Sequence, residues 1–184
     1  GVMWRQDDLI RATCATGLPM LLSDPDDVGG YDTVLAALAN PGAPGIPACP
    51  LMHGTGWFTA QIYLVQAGSV VTLEDRKLDI IELLDTIERE GVGALAIVGD
   101  AFAKPIVRAL DAEPGRWNLS SLGLISSSGV MWSEPVKEQM LRHHPSMLLI
   151  DAFSSSEAIG LGQSISAAGN EVATARFTLG DHAR

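Results

Sequence analysis

Apolar positions along the chain follow a helical spacing in some segments and form short continuous runs in others. The clearest helix spans residues 79–90, where apolar residues such as Leu84 and Ile87 recur at helical spacing and Gly91 can end it. Short aliphatic runs such as Ala94-Leu-Ala-Ile-Val98 are typical of buried strands. From about residue 50 onward the two patterns alternate.

This alternation predicts a full set of elements. We expect helices over residues 6–13, 33–39, 54–67, 79–90, 104–112 and 133–143. We expect strands over residues 50–52, 70–73, 94–98, 122–125 and 147–153, and a hairpin of 163–168 with 172–179 across Gly169-Asn170. Pro105 is placed in the first turn of its helix, and Ser133 at the N-cap of the next.

The predicted fold class is α/β, because strands and helices alternate. We expect a mostly parallel sheet flanked by helices on both faces, with a C-terminal β-hairpin, as one unit over residues 1–184. In such sheets ligands bind beyond the carboxyl ends of the strands. The segments after residues 52, 125 and 150 are therefore the places to look for a site.

Composition narrows the classes of protein. The chain of 184 residues carries a net charge of −10 without a basic cluster, so nucleic acid and anionic membrane surfaces are poor candidates as partners. No apolar run is long enough to span a bilayer. Cys14 and Cys49 lack metal-ligand or CxxC spacing and are interpreted as reduced thiols of a cytoplasmic protein, although one disulfide between them remains open.

The first candidate segment is Pro50-Leu-Met-His-Gly-Thr-Gly56, followed by Trp57 and Phe58. His53 follows the short apolar run Pro50-Leu-Met52, and the glycines allow another group to approach the backbone closely. Taken alone, the segment is explained better by a helix entry than by a site.

The second candidate segment, Ser126-Ser-Ser-Gly-Val-Met-Trp132, lies between a predicted strand and a predicted helix. Its small residues would let a flat ligand lie against the main chain. Taken alone, it is explained better by an ordinary strand-to-helix turn.

The third segment, Asp151-Ala-Phe-Ser-Ser-Ser-Glu157, is the most informative one, because it opens a hydroxyl-rich loop after the apolar run Met147-Leu-Leu-Ile150. An aromatic ring can stack on a base, hydroxyls can bond phosphate oxygens, and a carboxylate can hold Mg²⁺. Each residue is as well explained by ordinary structure when taken singly: Phe153 by core packing and Glu157 by the first turn of a helix.

In this order and spacing, the three segments together resemble the adenylate-forming superfamily, which includes acyl-CoA synthetases, firefly-type luciferases and peptide-synthetase adenylation domains. Pro50-Leu-Met-His53 matches a Pro-Leu-x-His element in full, and Ser127-Ser-Gly-Val-Met-Trp132 matches a Ser-Gly-Gly-Ala-Pro-Leu turn loosely. Phe153-Ser-Ser-Ser-Glu157 matches an aromatic-Gly-x-Thr-Glu loop, with Ser154 for Gly and Ser156 for Thr. The resemblance covers essentially the whole chain and points to bacterial fatty-acyl-CoA ligases.

The resemblance implies a two-step reaction. A fatty or other bulky apolar carboxylic acid attacks the α-phosphate of ATP to give an acyl-adenylate, and CoA then displaces AMP. ATP, Mg²⁺ and CoA are the implied cofactor and co-substrates. The chain would be a middle fragment of the large N-terminal domain, with the phosphate loop upstream and the C-terminal lid domain with its lysine absent. We therefore expect the remaining parts of the ligase as its partners and no turnover by the fragment alone.

The resemblance also implies roles for individual residues. Catalytic roles fall to His53, Ser156 and Glu157, with Glu157 holding the metal. The residues implied in nucleotide binding are Ser128, Gly129, Val130, Phe153, Ser154, Ser155 and Ser156. The residues implied in the acyl pocket are His53, Trp57, Phe58 and Trp132.

Three alternatives remain open from the sequence. An acyl-AMP ligase that loads a carrier protein, or an aryl-acid ligase, would share the same motifs. A small non-catalytic α/β module that binds a nucleotide or an acyl group is the second. A dinucleotide-binding oxidoreductase is the least favoured, because no GxGxxG motif follows a predicted strand. The acyl chain could be fatty, branched or steroid-derived.

Overall fold

The structure is a computed structural model that describes residues 2–17, 31–170, 172, 174 and 176–180. The described helices are α1 (Gln6–Gly17), α2 (Tyr31–Ala39), α3 (Gly54–Val65), α4 (Ile80–Glu90), α5 (Gly99–Ala112) and α6 (Glu134–His143). The described strands are β1 (Gly45–Pro47), β2 (Ala94–Ile97), β3 (Leu124–Ser128), β4 (Leu148–Phe153), β5 (Gly162–Ser166) and β6 (Thr178–Leu179).

Within these residues the strands form one six-stranded sheet in the order β1-β2-β3-β4-β5-β6. Strands β1 to β4 pair in parallel, whereas β5 and β6 run antiparallel to their neighbours. The predicted α/β class with a mostly parallel sheet is confirmed.

One face of the sheet forms the main core. Its inward residues, such as Leu95, Ile125 and Leu149, are fully buried beneath α4, α5 and α6. Helix α4 forms where the pattern predicts it, since the Asp79 carboxylate accepts hydrogen bonds from two backbone amides of its first turn. Gly91 ends it in a left-handed conformation with φ 61°.

The other face is covered at the β1 end by α3. A β-carbon on Gly45 would meet the ring of Tyr63 at 2.4 Å, so this glycine allows the helix to lie directly on β1. Helix α1 in turn packs on α3. Further along the same face, Leu148 of β4 and Ile165 of β5 are exposed. None of the helices in the described ranges is long and apolar enough to cross a membrane.

The first strand differs from the prediction. Residues 50–52 form a turn, closed by a hydrogen bond of 2.9 Å from the His53 amide to the Pro50 carbonyl, and the strand lies earlier, at Gly45–Pro47. Residues 70–73 are not a strand: Val70 makes one isolated bridge with Gly45, after which the chain leaves the sheet edge.

Helix α5 begins five residues before its predicted start, at Gly99 instead of Lys104. Gly99 has φ +54°, which lets the chain turn directly from β2 into the helix. Pro105 therefore lies inside the helix and not in its first turn, so the prediction was wrong there. Pro105 lacks the N–H that the Ala101 carbonyl would accept in a regular helix.

The predicted antiparallel pairing of the C-terminal hairpin is confirmed. Gly162 pairs with Leu179 and Gln163 with Thr178. Residues 173 and 175 of the predicted second strand lie outside the described residues, and the strand itself is present at Thr178–Leu179. The predicted helix at 33–39 is present as part of α2.

Candidate functional site at the carboxyl ends of β3 and β4

The second and third segments leave the sheet side by side. Strands β3 and β4 pair in parallel, with Ser128 opposite Ala152. The turn that starts at Gly129 and the loop that starts at Phe153 therefore begin next to each other. This is the edge at which parallel sheets commonly bind ligands.

The first segment reaches the same edge through the start of α3. A β-carbon on Gly54 would lie 3.9 Å from the Ser156 hydroxyl oxygen. A β-carbon on Gly129 would lie 3.9 Å from the Thr55 hydroxyl oxygen. The start of α3 thus lies close to both other segments, and the structure brings all three together. His53 precedes α3 at its N-cap position, where its side chain is exposed and makes no capping bond.

The third segment forms a compact loop after β4. The Ser155 hydroxyl accepts hydrogen bonds of 3.2 Å from the amides of Glu157 and Ala158, and the Ser155 amide donates to the Ala158 carbonyl at 2.8 Å. The Ser154 hydroxyl accepts from the Gly160 amide at 3.2 Å. These two serines fix the shape of the loop through their oxygens.

Ser156 and Glu157 lie on the outside of this loop, and both are exposed. The indole Nε1 of Trp4 donates a hydrogen bond of 2.8 Å to the Ser156 carbonyl. Within the described residues no group of three or more His, Cys, Asp or Glu side chains could hold a metal ion. Glu157 therefore offers a single carboxylate, which fits an Mg²⁺ ion that takes its other oxygens from nucleotide phosphates and water.

Phe153 ends β4 with its side chain 49% exposed. Its ring centroid lies 5.5 Å from that of Phe177, with the rings tilted by 39°. About half of Phe153 is therefore open to solvent beside Phe177.

The second segment is held against the start of α5. The Gly99 amide donates to the Ser127 hydroxyl at 2.8 Å, and a β-carbon on Gly99 would come within 2.6 Å of the Met131 carbonyl oxygen. Gly129 itself has φ +90°, a conformation that favours glycine. Val130 is exposed on this turn, and Ser128 is half-buried at its start.

The far end of this turn is fixed by Asp100. Its carboxylate accepts hydrogen bonds from the Ser133 amide at 2.9 Å and from the Ser133 hydroxyl at 2.8 Å, and Lys104 lies 3.0 Å away. Burial alone would raise the pKa of Asp100, but the bonds from Ser133 and Lys104 outweigh it and lower the pKa. Ser133 takes the predicted N-cap position of α6, yet its hydroxyl serves Asp100 instead of the helix.

Trp132 does not face the open edge. It is fully buried in the core, and the Nζ atom of Lys137 lies 5.7 Å from its ring centroid. Lys137 is also fully buried and forms an ion pair with Asp151 of β4. Burial raises the pKa of Asp151, while the hydrogen bond and the charge of Lys137 act in the opposite direction.

The residues implied in an acyl pocket lie on or near α3. Trp57 is 44% exposed, and Phe58 is half-buried with its ring 5.9 Å from that of Trp4 in an edge-to-face arrangement. His53, Trp57 and Phe58 thus share one end of the helix, whereas Trp132 is buried in the core and does not join them.

Three residues near this edge were not singled out from the sequence: Trp4, Lys137 and Asp100. Trp4 acts on a residue 152 positions away, and Lys137 reaches Asp151 from a neighbouring helix. A lysine on a predicted amphipathic helix is ordinarily solvent-exposed. The sequence carried one usable signal, the carboxylate of Asp151 inside an apolar strand, since such a charge needs a partner.

Comparisons with known proteins identify relatives of the chain. No family model matches the chain. A medium/long-chain-fatty-acid–CoA/3-oxocholest-4-en-26-oate–CoA ligase from Mycobacterium tuberculosis is 33% identical over 175 residues, which cover 92% of this chain and 30% of the relative. The medium-chain acyl-CoA ligase Mig from Mycobacterium avium is 31% identical over 182 residues, which cover 98% of this chain and 32% of the relative. The chain belongs to the adenylate-forming superfamily.

The fold of the chain is similar to that of a solved structure as well. The amide bond synthetase McbA from Marinactinospora thermotolerans superposes with a TM-score of 0.55 at 24% identity, over 67% of this chain and 23% of the synthetase. The likeness shows a common fold. The chain spans about 30% of the length of the curated relatives it matches.

Proposed function

We propose that this chain is part of a longer ATP-dependent acid–thiol ligase. The ligase activates a fatty or other bulky apolar carboxylic acid as an acyl-adenylate and transfers the acyl group to CoA. The observation that carries the proposal is the proximity of the start of α3 to both other segments, with Gly54 near the Ser156 hydroxyl and Gly129 near the Thr55 hydroxyl. Both curated relatives described above are named as fatty-acid or acyl-CoA ligases, which supports the same assignment.

In this proposal the nucleotide lies across the ends of β3 and β4. Phe153 stacks on the adenine, for which its open ring is suited. The backbone of the turn that comprises Ser128, Gly129 and Val130 lines the adenine and the acyl group. The Ser156 hydroxyl bonds a phosphate oxygen, while Ser154 and Ser155 hold the loop in shape and leave their hydroxyl protons for the nucleotide.

Glu157 would hold Mg²⁺ beside the phosphates. Its exposed carboxylate on the loop is the kind of hard oxygen ligand that the ion prefers. The bound ion would neutralise charge on the phosphate oxygens as the acid attacks. The protein's own part is to hold Ser156 and Glu157 in a fixed position relative to the phosphates.

The acyl group would lie along the start of α3. His53 borders its carboxylate, and Trp57 and Phe58 form the apolar wall. Trp132, fully buried, would act from behind the turn by holding its shape. Pyrophosphate leaves in the first step, and AMP leaves in the second step, when the CoA thiol forms the thioester.

Two further points belong to the proposal. Cys14 and Cys49 are free and buried, which supports a cytoplasmic location because thiols stay reduced there. The 184-residue chain alone is expected not to turn over, because it spans about 30% of its relatives and would supply only part of the cleft.

The test is ATP–pyrophosphate exchange in the full-length protein with a series of fatty, branched and steroid-derived acids. We expect exchange that depends on one class of acid, and an acyl-CoA product when CoA is added. Transfer to a carrier protein but not to CoA would contradict CoA as the acyl acceptor. The absence of any acid-dependent exchange would contradict the proposed ligase function. The 184-residue chain serves as the inactive comparison, and exchange above background by it would contradict the expectation for the fragment.

A further inference from the structure

We propose that Trp4 is a positioning residue that fixes the loop of Ser156 and Glu157 and couples it to the wall of the acyl pocket. The inference rests on the proposed function, in which this loop holds the phosphates and Mg²⁺ and Phe58 lines the acyl group. It adds a residue for which the three segments provide no role.

The contact of Trp4 falls at a sensitive point of the loop. Its indole Nε1 donates to the Ser156 carbonyl at 2.8 Å, and this carbonyl belongs to the peptide group that joins Ser156 to Glu157. A peptide group is planar, so a bond that fixes its carbonyl fixes the orientation of the backbone from which both side chains project. Displacing this group would move the hydroxyl and the carboxylate together.

The loop's internal bonds define its shape but not its placement. The bonds of Ser155 join residues 155, 157 and 158 to one another, and the bond of Ser154 joins it to Gly160. The Trp4 bond connects the loop to a segment 152 residues away in the chain. It therefore restrains the loop as a body relative to the rest of the cleft.

The same indole contacts the acyl wall. Its ring meets the Phe58 ring edge-to-face at 5.9 Å and 75°. The Phe58 ring lies 3.4 Å from the position of a β-carbon on Gly54, and the Ser156 hydroxyl oxygen lies 3.9 Å from the same position. Trp4 thus contacts both the loop that is proposed to hold the phosphates and the Phe58 ring that is proposed to line the acyl group.

Two substitutions separate these contacts. Trp4→Phe removes the donor and keeps an aromatic ring against Phe58, whereas Trp4→Leu removes both. The matched control is Trp117→Phe, which removes an indole bond of 2.6 Å to the Asp85 carboxylate on α4, on the other side of the sheet.

The first measurement is amide hydrogen exchange of the wild-type chain and these variants. We expect Trp4→Phe to speed exchange at residues 155–160 by roughly threefold to tenfold, the range expected for one lost neutral hydrogen bond. Trp117→Phe should leave these residues unchanged. Equal exchange at 155–160 in wild type and Trp4→Phe would overturn the proposal, and this readout does not depend on any activity.

The second measurement is the kinetics of adenylation in the full-length protein. Trp4→Phe should raise KM for MgATP by about threefold to tenfold and leave KM for the acid unchanged. Trp4→Leu should raise KM for the acid as well. A purely structural role would reduce only the active fraction, so unchanged KM values with a scaled kcat in both variants would overturn the coupling. Wild-type protein without adenylation would contradict the proposed function, and the exchange result would then decide the role of Trp4 by itself.

Discussion

Lys137 of α6 and Asp151 of β4 form an ion pair inside the core, directly behind the candidate site. Lys137 is fully buried and Asp151 is 8% exposed. The lysine also approaches the ring of Trp132, so it joins the end of the second segment to the start of the third. Burial of the pair has a large desolvation cost, which the raised pKa of Asp151 reflects.

This pair predicts a non-additive pattern of stability. Lys137→Met or Asp151→Leu alone leaves an unpaired buried charge and should lower the free energy of unfolding by about 3–5 kcal/mol. The double variant should recover most of that loss, because both charges are gone and the side chains fill similar volume. Urea unfolding of the four proteins checks this. Additive losses in the double variant would contradict it.

Glu157→Gln should impair adenylation without affecting folding. The side chain is exposed, so the unfolding transition should stay within about 0.5 kcal/mol of wild type. The apparent affinity for Mg²⁺ in the full-length protein should fall by roughly 10- to 100-fold, because the amide has lost the charge that attracts the ion.

The matched control for Glu157→Gln is Glu138→Gln, which removes another exposed carboxylate, on α6. It should leave the Mg²⁺ dependence unchanged. Mg²⁺ titrations of the exchange rate compare the two, and identical curves would remove the metal role from Glu157.

Asp100 predicts a pH dependence of stability. Because its folded-state pKa lies below the ordinary value of about 3.9, its contribution is present above that value and is lost as the pH falls through the folded pKa. Asp100→Asn should lower the free energy of unfolding by about 1–2 kcal/mol at neutral pH, since the bonds from Ser133 lose their charged acceptor.

The difference between wild type and Asp100→Asn should therefore shrink below about pH 4. Chemical unfolding between pH 7 and pH 2.5 measures it. Glu88→Gln, which removes an exposed carboxylate from α4, is the control for net charge. A difference that grows on acidification would have the wrong sign for this explanation.

Gly99 and Gly115 allow conformational strain to be separated from a steric clash. Both have positive φ, +54° and +76°, but only Gly99 faces backbone, with the Met131 carbonyl oxygen at 2.6 Å from a β-carbon there; a β-carbon on Gly115 would meet nothing within 4 Å. Gly115→Ala should lower the free energy of unfolding by about 1–2 kcal/mol. Gly99→Ala should lower it by about 1–3 kcal/mol more, because the 129–132 turn must move. Equal losses of unfolding free energy in the two variants would contradict this prediction, because the turn would then move without a cost in stability.

Much of the fold follows from periodicity. Helix α4 and strands β2 and β4 lie where apolar spacing places them, because each buries a side that the sequence marks clearly. The strand predicted at 122–125 is shifted toward the C-terminus, since β3 runs from Leu124 to Ser128 and includes three serines that the apolar pattern left out. The errors fall where backbone geometry and not side-chain polarity decides. The start of α5 depends on the left-handed conformation of Gly99, and the strand expected at 70–73 fails because its pairing with β1 stops after one bridge.

For the site, order along the chain predicted convergence, since segments after parallel strands meet at one edge. The structure bears out that proximity for Gly54, Thr55, Gly129 and Ser156. The sequence could not predict that Trp132 is buried, because an aromatic residue at the end of a turn suits either a pocket or a core. Nor could it pair Trp4 with Ser156, since such contacts depend on the relative placement of whole elements.

The order of strands in the sheet, β1 to β6, is also their order in the chain. From β2 onward, each strand pairs with the strand synthesised just before it. The sheet can therefore form in the direction of translation, because no strand has to wait for a later segment. A ribosome that stalls partway would leave an open hydrogen-bonding edge on the last strand made, ready to capture another nascent chain.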